Sequence, residues 1–262
     1  MKYLTFLMAV LMTMVVSCEK KEAKKYLKYH GRLDKLEGPE AEKELIFHFP
    51  RALYKVYEVK DAGKFYIDSR QDLVKNKLLS GQGWEPEVQT ILKEKTRPGT
   101  TAIDVGAHIG THSLILSDSV GERGRVIAFE PDLKLYSELV ENLELNEKKN
   151  VTALRAGLGD EFSSQEAWVP SAYIIPLDSL GLDNVSLIKI DVPGEEETIL
   201  KGAEETLLKN RPFIVLEISG NRPGQKARRR DRVENAVKWL QERGYDLFMI
   251  NNNYNLWFAE PL

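Results

Sequence analysis

The order of short apolar segments along the chain constrains the fold more than any other feature. Five segments of strand length follow Gly99, and segments with helical periodicity separate most of them. Strands that alternate with helices usually form a parallel sheet covered by helices on both faces. We therefore expect an α/β fold. The predicted strands are Thr101–Val105, Arg125–Phe129, Val151–Leu154, Ser186–Asp191 and Phe213–Ile218, and the predicted helices are Thr111–Ser119, Leu133–Asn146, Glu195–Leu208 and Arg229–Arg243.

Shorter elements flank this core. The region 51–98 is predicted to form an N-terminal hairpin and helix, and the region 99–262 the main domain. A second hairpin near the C-terminus, with a turn at Asn251–Asn253, should add an antiparallel pair to the sheet. The flanking elements are the strands Lys55–Val59 and Lys64–Asp68, the helix Glu85–Lys95, and the strands Asp246–Ile250 and Tyr254–Phe258.

Composition and charge exclude several classes of protein. The 37 lysines and arginines nearly balance the 40 aspartates and glutamates, giving a net charge of −3, and 42% of residues are hydrophobic. These values are typical of a globular domain. They exclude a wholly disordered chain, a multi-span membrane protein and a disulfide-stapled miniprotein. Nucleic-acid-binding domains are normally strongly basic, so nucleic acid is not expected as a partner.

The first 17 residues differ from the rest of the chain. Four of the five methionines precede the single cysteine, Cys18, and the uncharged run after Lys2 is too short to span a bilayer. Val15–Cys18 is similar to a bacterial lipobox. We expect a signal peptide or membrane anchor at 1–17, lipidation of Cys18 and a charged tether at 18–50. The alternative is a short membrane-associating helix in which Cys18 has no chemical role.

Two signals conflict over the side of the membrane on which the domain would lie. The lysines between Lys20 and Lys28 favour a cytoplasmic domain by the positive-inside bias, whereas the lipobox favours export. We expect a membrane-anchored lipoprotein and leave its membrane face open.

A glycine-rich segment follows the first core strand. Residues Asp104 to Gly110 have the spacing D-x-G-x-x-x-G. Glycines allow close approach of the backbone to a ligand, and the next helix offers free N–H groups to an anion. The middle glycine of the dinucleotide-binding fingerprint is missing, which argues against a diphosphate and hence against a nicotinamide or flavin cofactor.

Glu130 ends the second core strand, 20 residues after Gly110. A carboxylate there can accept hydrogen bonds from both hydroxyls of a ribose, although an acidic strand end is often only a helix cap. Together, the glycine loop and Glu130 suggest an adenosine-containing ligand without a diphosphate. S-adenosylmethionine fits this description, with its methionine part at the loop and its ribose at Glu130.

Between roughly Gly81 and Ile218 the sequence resembles the FkbM family of S-adenosylmethionine-dependent methyltransferases. The resemblance rests on ordered blocks of residues rather than on one short pattern. The similar stretches are Gly83–Pro86, Ala102–Gly110, Val126–Pro131, Asn142–Asn146, Ser186–Val192, Gly194, Glu196, Leu200–Ala203 and Val215–Ile218.

The resemblance implies a doubly wound, mostly parallel seven-stranded sheet, which is the Rossmann-like methyltransferase fold. It also implies methylation of a hydroxyl oxygen on a saccharide or small metabolite. Asp160 would contact the adenine amino group, although it is nearly as well explained as a turn residue. The residues expected to line the cofactor are Asp104, Gly106, Ala107, His108, Gly110 and Glu130.

Methyl transfer from a sulfonium requires an aligned acceptor oxygen and a group that can remove its proton. Asp191, which ends the fourth core strand beside the expected topological switch point, is the first candidate for this base. Glu196 is the second, and its alternative role is a favourable interaction with a helix N-terminus. Two carboxylates could also hold a divalent metal, but the ligand set is too small to predict one.

The sequence departs from the family pattern at two positions. Pro193 replaces a glutamate in D-x-E-G-x-E, which is either a tolerated loop change or a loss of a group that contacts substrate. His108 replaces an asparagine, and His112 lies one helical turn later. Without a third ligand we do not predict a metal at this pair. We expect His108 to donate to the carboxylate of the cofactor.

Two further groups of residues could contact a ligand. Trp84 and Glu85 could cover the cofactor pocket, although a tryptophan at a helix start more often serves packing. The densest basic run could recognise an acidic substrate or lipid headgroup, or could simply be a solvated helix start. Its members are Arg222, Lys226, Arg228, Arg229, Arg230 and Arg232. The leading hypothesis is thus a membrane-anchored methyltransferase, and the alternative is a non-catalytic lipoprotein that keeps the fold as a binding module.

Overall fold

A computed structural model describes residues 51–68, 72–165, 172–218, 226–251 and 256–262. The predicted signal peptide, Cys18 and the charged tether lie outside these residues, as do Arg222 and the side chains of the other members of the basic run. The turn predicted at Asn251–Asn253 is described only at Asn251. In these ranges, no helix combines the length and apolar character needed to cross a membrane.

Strands and helices alternate along the described chain. Two single turns of 3-10 helix, Arg51–Leu53 and Leu177–Leu180, accompany them. In chain order the elements are β1 (Lys55–Val59), β2 (Gly63–Ile67), α1 (Leu73–Leu79), α2 (Pro86–Lys95), β3 (Thr101–Val105), α3 (Thr111–Val120), β4 (Arg125–Phe129), α4 (Leu133–Leu145), β5 (Val151–Leu154), β6 (Ala156–Leu158), β7 (Ser163–Gln165), β8 (Ala172–Ile175), β9 (Val185–Ile190), α5 (Glu196–Lys201), α6 (Glu204–Asn210), β10 (Phe213–Glu217), α7 (Lys226–Gln241), β11 (Tyr245–Asn251) and β12 (Leu256–Pro261).

The central sheet has seven strands in the order β11-β12-β10-β9-β3-β4-β5. From β9 to β5 all neighbours are parallel, and β10 is parallel to β9. Only β12 runs against the others, because it pairs antiparallel with both β10 and β11. The chain moves outward from β3 to β5 and then returns to the other side of β3, so β3 and β9 flank the topological switch point. The predicted doubly wound α/β fold is confirmed.

Each face of this sheet carries its own buried core. Successive side chains of a strand point to opposite faces, so Ala102 packs on the side of α2, α3 and α4, whereas Ile103 packs on the side of α5, α6 and α7. The same alternation gives Leu187 and Ile188 to the two cores. Inner strands buried on both faces explain why the five core strands read as continuous apolar runs in the sequence.

The predicted helix Glu195–Leu208 is wrong in one respect: it is two helices, α5 and α6. The helix is interrupted at Gly202, where a Cβ would lie 1.9 Å from the carbonyl oxygen of Gly159. Asp178 then accepts hydrogen bonds from the backbone N–H groups of Glu205 and Thr206, at 2.9 and 2.8 Å. A side-chain cap and a close backbone contact therefore start a second helix in a new direction.

Three further elements differ from the sequence predictions. The small sheet β6-β8-β7 was not predicted, and neither was α1. The last strand, expected at Tyr254–Phe258, runs from Leu256 to Pro261. Its extension is paired, since Pro261 faces Tyr245 on β11.

Two asparagines attach the N-terminal hairpin to the main domain. The side chain of Asn142, which is fully buried on α4, accepts from the backbone N–H of Tyr66 at 2.7 Å and donates to the carbonyl of Ile109 at 2.9 Å. Asn146, one turn later, accepts from the N–H of Lys64 at 2.8 Å. Because Ile109 belongs to the glycine loop, the hairpin and the loop are held by the same side chain.

Candidate active site

The glycine loop wraps around the carboxyl ends of three strands. Gly106 has a positive φ of 78°, and a Cβ at this position would lie 2.2 Å from the carbonyl oxygen of Asp191 at the end of β9. The backbone N–H groups of Gly106 and Ala107 both donate to the carbonyl of Phe129 at the end of β4, each at 3.0 Å. Gly110, also at positive φ, is the N-cap of α3. Only a residue without a side chain fits between β3 and β9 at position 106.

Glu130 is buried, and both of its carboxylate oxygens face backbone N–H groups. Oε2 accepts from His108 and Oε1 accepts from Asp132, each at 2.9 Å. Burial raises the pKa of Glu130 to about 7, although the two backbone hydrogen bonds oppose the shift. Each carboxylate oxygen can accept more than one hydrogen bond, so the group retains acceptor capacity for a pair of ribose hydroxyls.

A cavity of about 470 Å³ lies beside this loop, within the size range of small-molecule sites. Asp160, which was predicted to contact the adenine amino group, lies on the exposed rim of this cavity. The walls are largely apolar. They are formed by Val105, Gly106, Phe129, Pro131, Ala156, Gly157, Leu158, Gly159, Asp160, Glu161, Ser163, Ile174, Val192, Pro193, Glu195 and Thr198.

These features fit an adenosyl ligand. Gly106 keeps the space at the switch point open, Glu130 is a buried carboxylate one residue before the cavity-lining Pro131, and the cavity walls suit an aromatic base. Pro193 lines the same cavity at the position where the family pattern has glutamate. The substitution therefore places a ring, rather than a charge, against the ligand space.

His108 sits in the loop with a positive φ of 52°. Its Nδ1 atom is buried without a hydrogen-bond partner in the described part of the chain, and its Nε2 atom lies 3.7 Å from Oδ2 of Asp72. Burial lowers the pKa of His108, so the imidazole is neutral at neutral pH. A neutral imidazole has one N–H to donate, and this geometry is compatible with the predicted contact to a cofactor carboxylate.

On the face of the sheet opposite the cavity, Lys189 is buried against two aspartates. Its Nζ lies 3.2 Å from Oδ1 of Asp104 and 3.5 Å from Oδ2 of Asp191, and donates to the carbonyl of Gly106 at 3.0 Å. Ser113 donates to the other oxygen of Asp104 at 2.6 Å. Asp104 therefore supports the loop from beneath, and is absent from the cavity wall.

Glu85 and Asp191 belong to an acidic group that sequence reasoning only partly found. Glu85 has a positive φ of 48° at the start of α2, and Glu217 ends β10. Burial, followed by the charge of Asp191, raises the pKa of Glu85 to about 7 and that of Glu217 to about 8. Glu85 lies here, and not among the residues that line the cavity.

The remaining candidates have structural partners. Trp84 is half-buried, and its carbonyl accepts from the side chain of Gln89 at 2.7 Å. Glu196 is buried and accepts from the backbone N–H of Gly194 at 3.0 Å, which fixes the loop before α5. His112 is buried beside Glu85. Among the described residues, no group of three or more His, Cys, Asp or Glu side chains is arranged to hold a metal ion.

Two residues of the site were missed from the sequence, namely Lys189 and Glu217. A signal for Lys189 was available, because it is a charge inside the otherwise apolar strand β9 and pairs in register with Asp104 on β3. A charge in an inner strand needs a buried counter-charge. Glu217 offered no such signal, since its relation to Asp191 depends on the pairing of β10 with β9.

Comparisons with known proteins find similar methyltransferase domains. The family model described as the methyltransferase FkbM domain matches residues 104–247. A fibrillarin-like rRNA/tRNA 2'-O-methyltransferase from Pyrobaculum calidifontis is 28% identical over 152 residues, which are 58% of this chain. The chain spans 59% of the length of that relative.

Solved structures with a similar arrangement include two methyltransferases. Methyltransferase FkbM from Methylobacillus flagellatus KT is 19% identical, with a TM-score of 0.47, over 71% of this chain and 52% of its own. A SAM-dependent methyltransferase from Aquifex aeolicus is 20% identical, with a TM-score of 0.44, over 73% of this chain and 97% of its own. The family model covers more than half of the sequence and includes the glycine loop, Glu130 and Asp191. The chain belongs to the FkbM methyltransferase domain family.

Proposed function

We propose that the protein is an S-adenosylmethionine-dependent methyltransferase that methylates a hydroxyl of a saccharide or small metabolite. One observation carries the cofactor part of this proposal. The loop that follows β3 is hydrogen-bonded through His108 to the buried carboxylate of Glu130, and a cavity of about 470 Å³ is lined by Gly106 of this loop and by Pro131, the residue after Glu130. An adenosyl group with a free ribose diol matches this set of acceptors and apolar walls.

Different residues of the site would contact different parts of S-adenosylmethionine. Glu130 would accept hydrogen bonds from the ribose, Asp160 would meet the adenine at the cavity rim, and Gly106 with Ala107 would pass beneath the sugar. His108 would donate to the amino-acid carboxylate. When bound, S-adenosylmethionine supplies an electrophilic methyl carbon on a positively charged sulfur.

Asp191 is the proposed base. It follows β9 directly, is partly exposed and lies at the switch point, where the carboxyl ends of β3 and β9 open. Its carboxylate would orient the acceptor hydroxyl and accept its proton as the oxygen attacks in line. Nζ of Lys189 lies 3.5 Å from Oδ2 of Asp191 and holds this carboxylate at the end of β9. Glu196 is less suited to this role, because it is buried and engaged by Gly194.

The acceptor class rests on family membership and on charge. The net charge of −3 disfavours RNA, the acceptor in the name of the P. calidifontis relative, because RNA-binding domains are normally basic. The proposal therefore keeps a hydroxyl of a saccharide or small metabolite as the acceptor. Separately, it puts the domain at a membrane through the predicted lipidation of Cys18.

Calorimetry of the full chain with S-adenosylmethionine and S-adenosylhomocysteine tests the cofactor. Both ligands should bind in a one-to-one ratio. Well-folded protein that binds neither ligand would reject the proposal. Glu94→Gln, an exposed substitution on α2, serves as a control that should leave both affinities unchanged.

A second candidate is a membrane-anchored lipoprotein that keeps the fold as a non-catalytic binding module. It is favoured by Pro193, which removes a carboxylate from the cavity wall relative to the family pattern. Radiolabelled methyl transfer to a panel of sugars separates the candidates. Transfer by the parent protein that is lost in Asp191→Ala, with binding of S-adenosylhomocysteine retained, excludes the non-catalytic module.

A further inference from the structure

Three carboxylates converge beyond the carboxyl ends of β9 and β10. Leu216 on β10 faces Ile190 on β9, so the residues that follow them, Glu217 and Asp191, are neighbours on the same face of the sheet. Glu85 approaches the same place from the start of α2, and the charges of Glu85 and Asp191 both act on Glu217. We call Glu85, Asp191 and Glu217 the acidic trio.

Among the described residues, the acidic trio has more negative charge than its surroundings balance. In this part of the chain, the positive charge that acts on Glu85 and Glu217 is that of Lys189, which is already paired with Asp104 and Asp191. Burial and mutual repulsion then favour the neutral form of Glu85 and Glu217. At neutral pH, the ligand-free trio therefore retains a proton that three ordinary surface carboxylates would have lost.

A second observation independently indicates a ligand at this place. His112 is only 2% exposed, and its Nε2 atom has no hydrogen-bond partner among the described residues. That atom points at the trio, 3.6 Å from Oε2 of Glu85. Burial holds the imidazole neutral, with its pKa lowered to about 3, so His112 contributes a polar atom and no charge. A buried polar atom without a partner is costly, and its presence is explained if the site is completed by a polar or charged group.

Gly106 connects the acidic trio to the cofactor cavity. Gly106 lines the cavity, while its α-carbon lies against the carbonyl of Asp191 and its own carbonyl accepts from Lys189. A ligand that places its adenosyl group in the cavity and continues past Gly106 reaches the trio. Among the described residues, the titratable groups in and around the trio are Glu85 and Glu87 on or before α2, Asp104 on β3, His112 on α3, Lys189 and Asp191 on or after β9, Glu217 on β10 and Glu196 on α5.

We infer that Glu85, Asp191 and Glu217 form a cation site that receives the sulfonium end of S-adenosylmethionine and releases a proton as this cation binds. The inference rests on the proposed function and adds to it a role for Glu85 and Glu217. Placing a positive sulfur beside the trio favours the ionised forms of Glu85 and Glu217, the two members that are held neutral in the ligand-free protein.

Methyl transfer then reverses the charge change. The acceptor oxygen forms a bond to the methyl carbon with its own electron pair, and the carbon–sulfur bond breaks with its pair going to sulfur. The sulfur becomes neutral, and the proton of the acceptor hydroxyl passes to the trio. One positive charge leaves the site and one proton enters it, so the trio regains the protonation state of the ligand-free protein.

Proton release on ligand binding tests this inference without an identified acceptor. Calorimetry at pH 7.5 in buffers of different ionisation enthalpy gives the number of protons released by each ligand. S-adenosylmethionine should release about half a proton or more in excess of S-adenosylhomocysteine, which lacks the sulfonium charge. Glu130 also has a raised pKa, but both ligands carry the same ribose, so its contribution cancels in this difference.

Variants locate the source of the proton. Glu217→Gln and Glu85→Gln should each reduce the excess release and make the affinity ratio of the two ligands less dependent on pH between 6 and 9. Glu94→Gln removes one carboxylate from the exposed surface of α2 and should leave both quantities unchanged. If one of the two half-buried variants does not fold, the difference in proton release between the two ligands in the parent protein still tests the inference.

The outcomes distinguish a failure of the cation site from a failure of the proposed function. Equal proton release by both ligands, or an excess that survives in Glu85→Gln and Glu217→Gln, overturns the cation site and leaves the proposed cofactor intact. Failure of the folded parent protein to bind either ligand overturns the proposed function and the cation site together.

Discussion

The backbone N–H of His108 donates to Oε2 of Glu130 over 2.9 Å. This bond joins the loop after β3 to the carboxylate after β4, two segments separated by α3 in the chain. Because the other oxygen of Glu130 accepts from Asp132, the carboxylate also fixes the start of α4. The shape of the loop therefore depends on an acidic side chain that is itself proposed to bind the ribose.

Glu130→Ala should weaken S-adenosylmethionine binding by about 10- to 100-fold, the scale of hydrogen bonds to a charged group. The loss combines the missing ribose acceptors with unsatisfied N–H groups at His108 and Asp132. Glu130→Gln keeps one oxygen and should lose less. Calorimetric dissociation constants check the order of the two variants, and equal affinities for Glu130→Ala and the parent would contradict the assigned role.

Lys189→Met should destabilise the protein by about 3–5 kcal/mol, because it leaves Asp104 as a buried charge without a counter-ion. The double variant Lys189→Met with Asp104→Asn removes the stranded charge and should recover part of the loss. Urea unfolding followed by circular dichroism measures both effects. A double variant less stable than the sum of the two single changes would argue against the ion pair.

Gly106→Ala and Gly99→Ala form a matched pair, since the two glycines have φ values of 78° and 77°. Both alanines incur the left-handed backbone penalty of about 1–2 kcal/mol. At Gly99 a Cβ meets no atom within 4 Å, whereas at Gly106 it would lie 2.2 Å from the carbonyl oxygen of Asp191. We expect Gly99→Ala to fold and bind cofactor, and Gly106→Ala to lose binding or unfold. Thermal unfolding and calorimetry together distinguish these results.

The stability of the ligand-free protein should fall as the pH rises from about 6 to 9. Burial raises the folded-state pKa of Glu85 and Glu130 to about 7 and of Glu217 to about 8, above the ordinary value near 4.5. In this range the folded protein binds more protons than the unfolded chain, so the free energy of unfolding decreases with pH. The lowered pKa of His112 acts only below about pH 6.5 and in the opposite direction.

Urea midpoints measured at several pH values check this expectation. Glu217→Gln should give a shallower decline, because one of the titrating groups is gone. A midpoint that rises between pH 7 and 9 would contradict the burial of the three glutamates.

The central sheet could be predicted from the sequence because its inner strands are buried on both faces. All five core strands lie within one residue of their predicted ends, for instance Thr101–Val105 and Arg125–Phe129. The sheet β6-β8-β7 could not be predicted in the same way. Its strands have only three or four residues, so no periodicity develops. The break at Gly202 depends on a contact with Gly159, which is distant in sequence.

The residues of the candidate site also fall into those that local sequence patterns predict and those that depend on strand pairing. Gly106, Gly110 and Glu130 follow individual strands at characteristic spacings, and local patterns are sufficient to find them. The roles of Lys189 and Glu217 follow only from strand pairing: β3 pairs with β9, which lies more than 80 residues later in the chain, and β9 pairs with β10. The charge of Lys189 inside an inner strand indicated a buried ion pair, but the strand order was needed to identify Asp104 as its partner.

The position of β12 has a consequence for how the protein is made. This strand is the last of the seven to be translated, yet it occupies an inner place between β10 and β11. Until residues 256–261 pair, β10 has an unpaired edge and β11 lacks the neighbour that joins it to the sheet. A folding domain in which β12 has not yet docked therefore has an open strand edge next to its core, which is the kind of surface that chaperones cover.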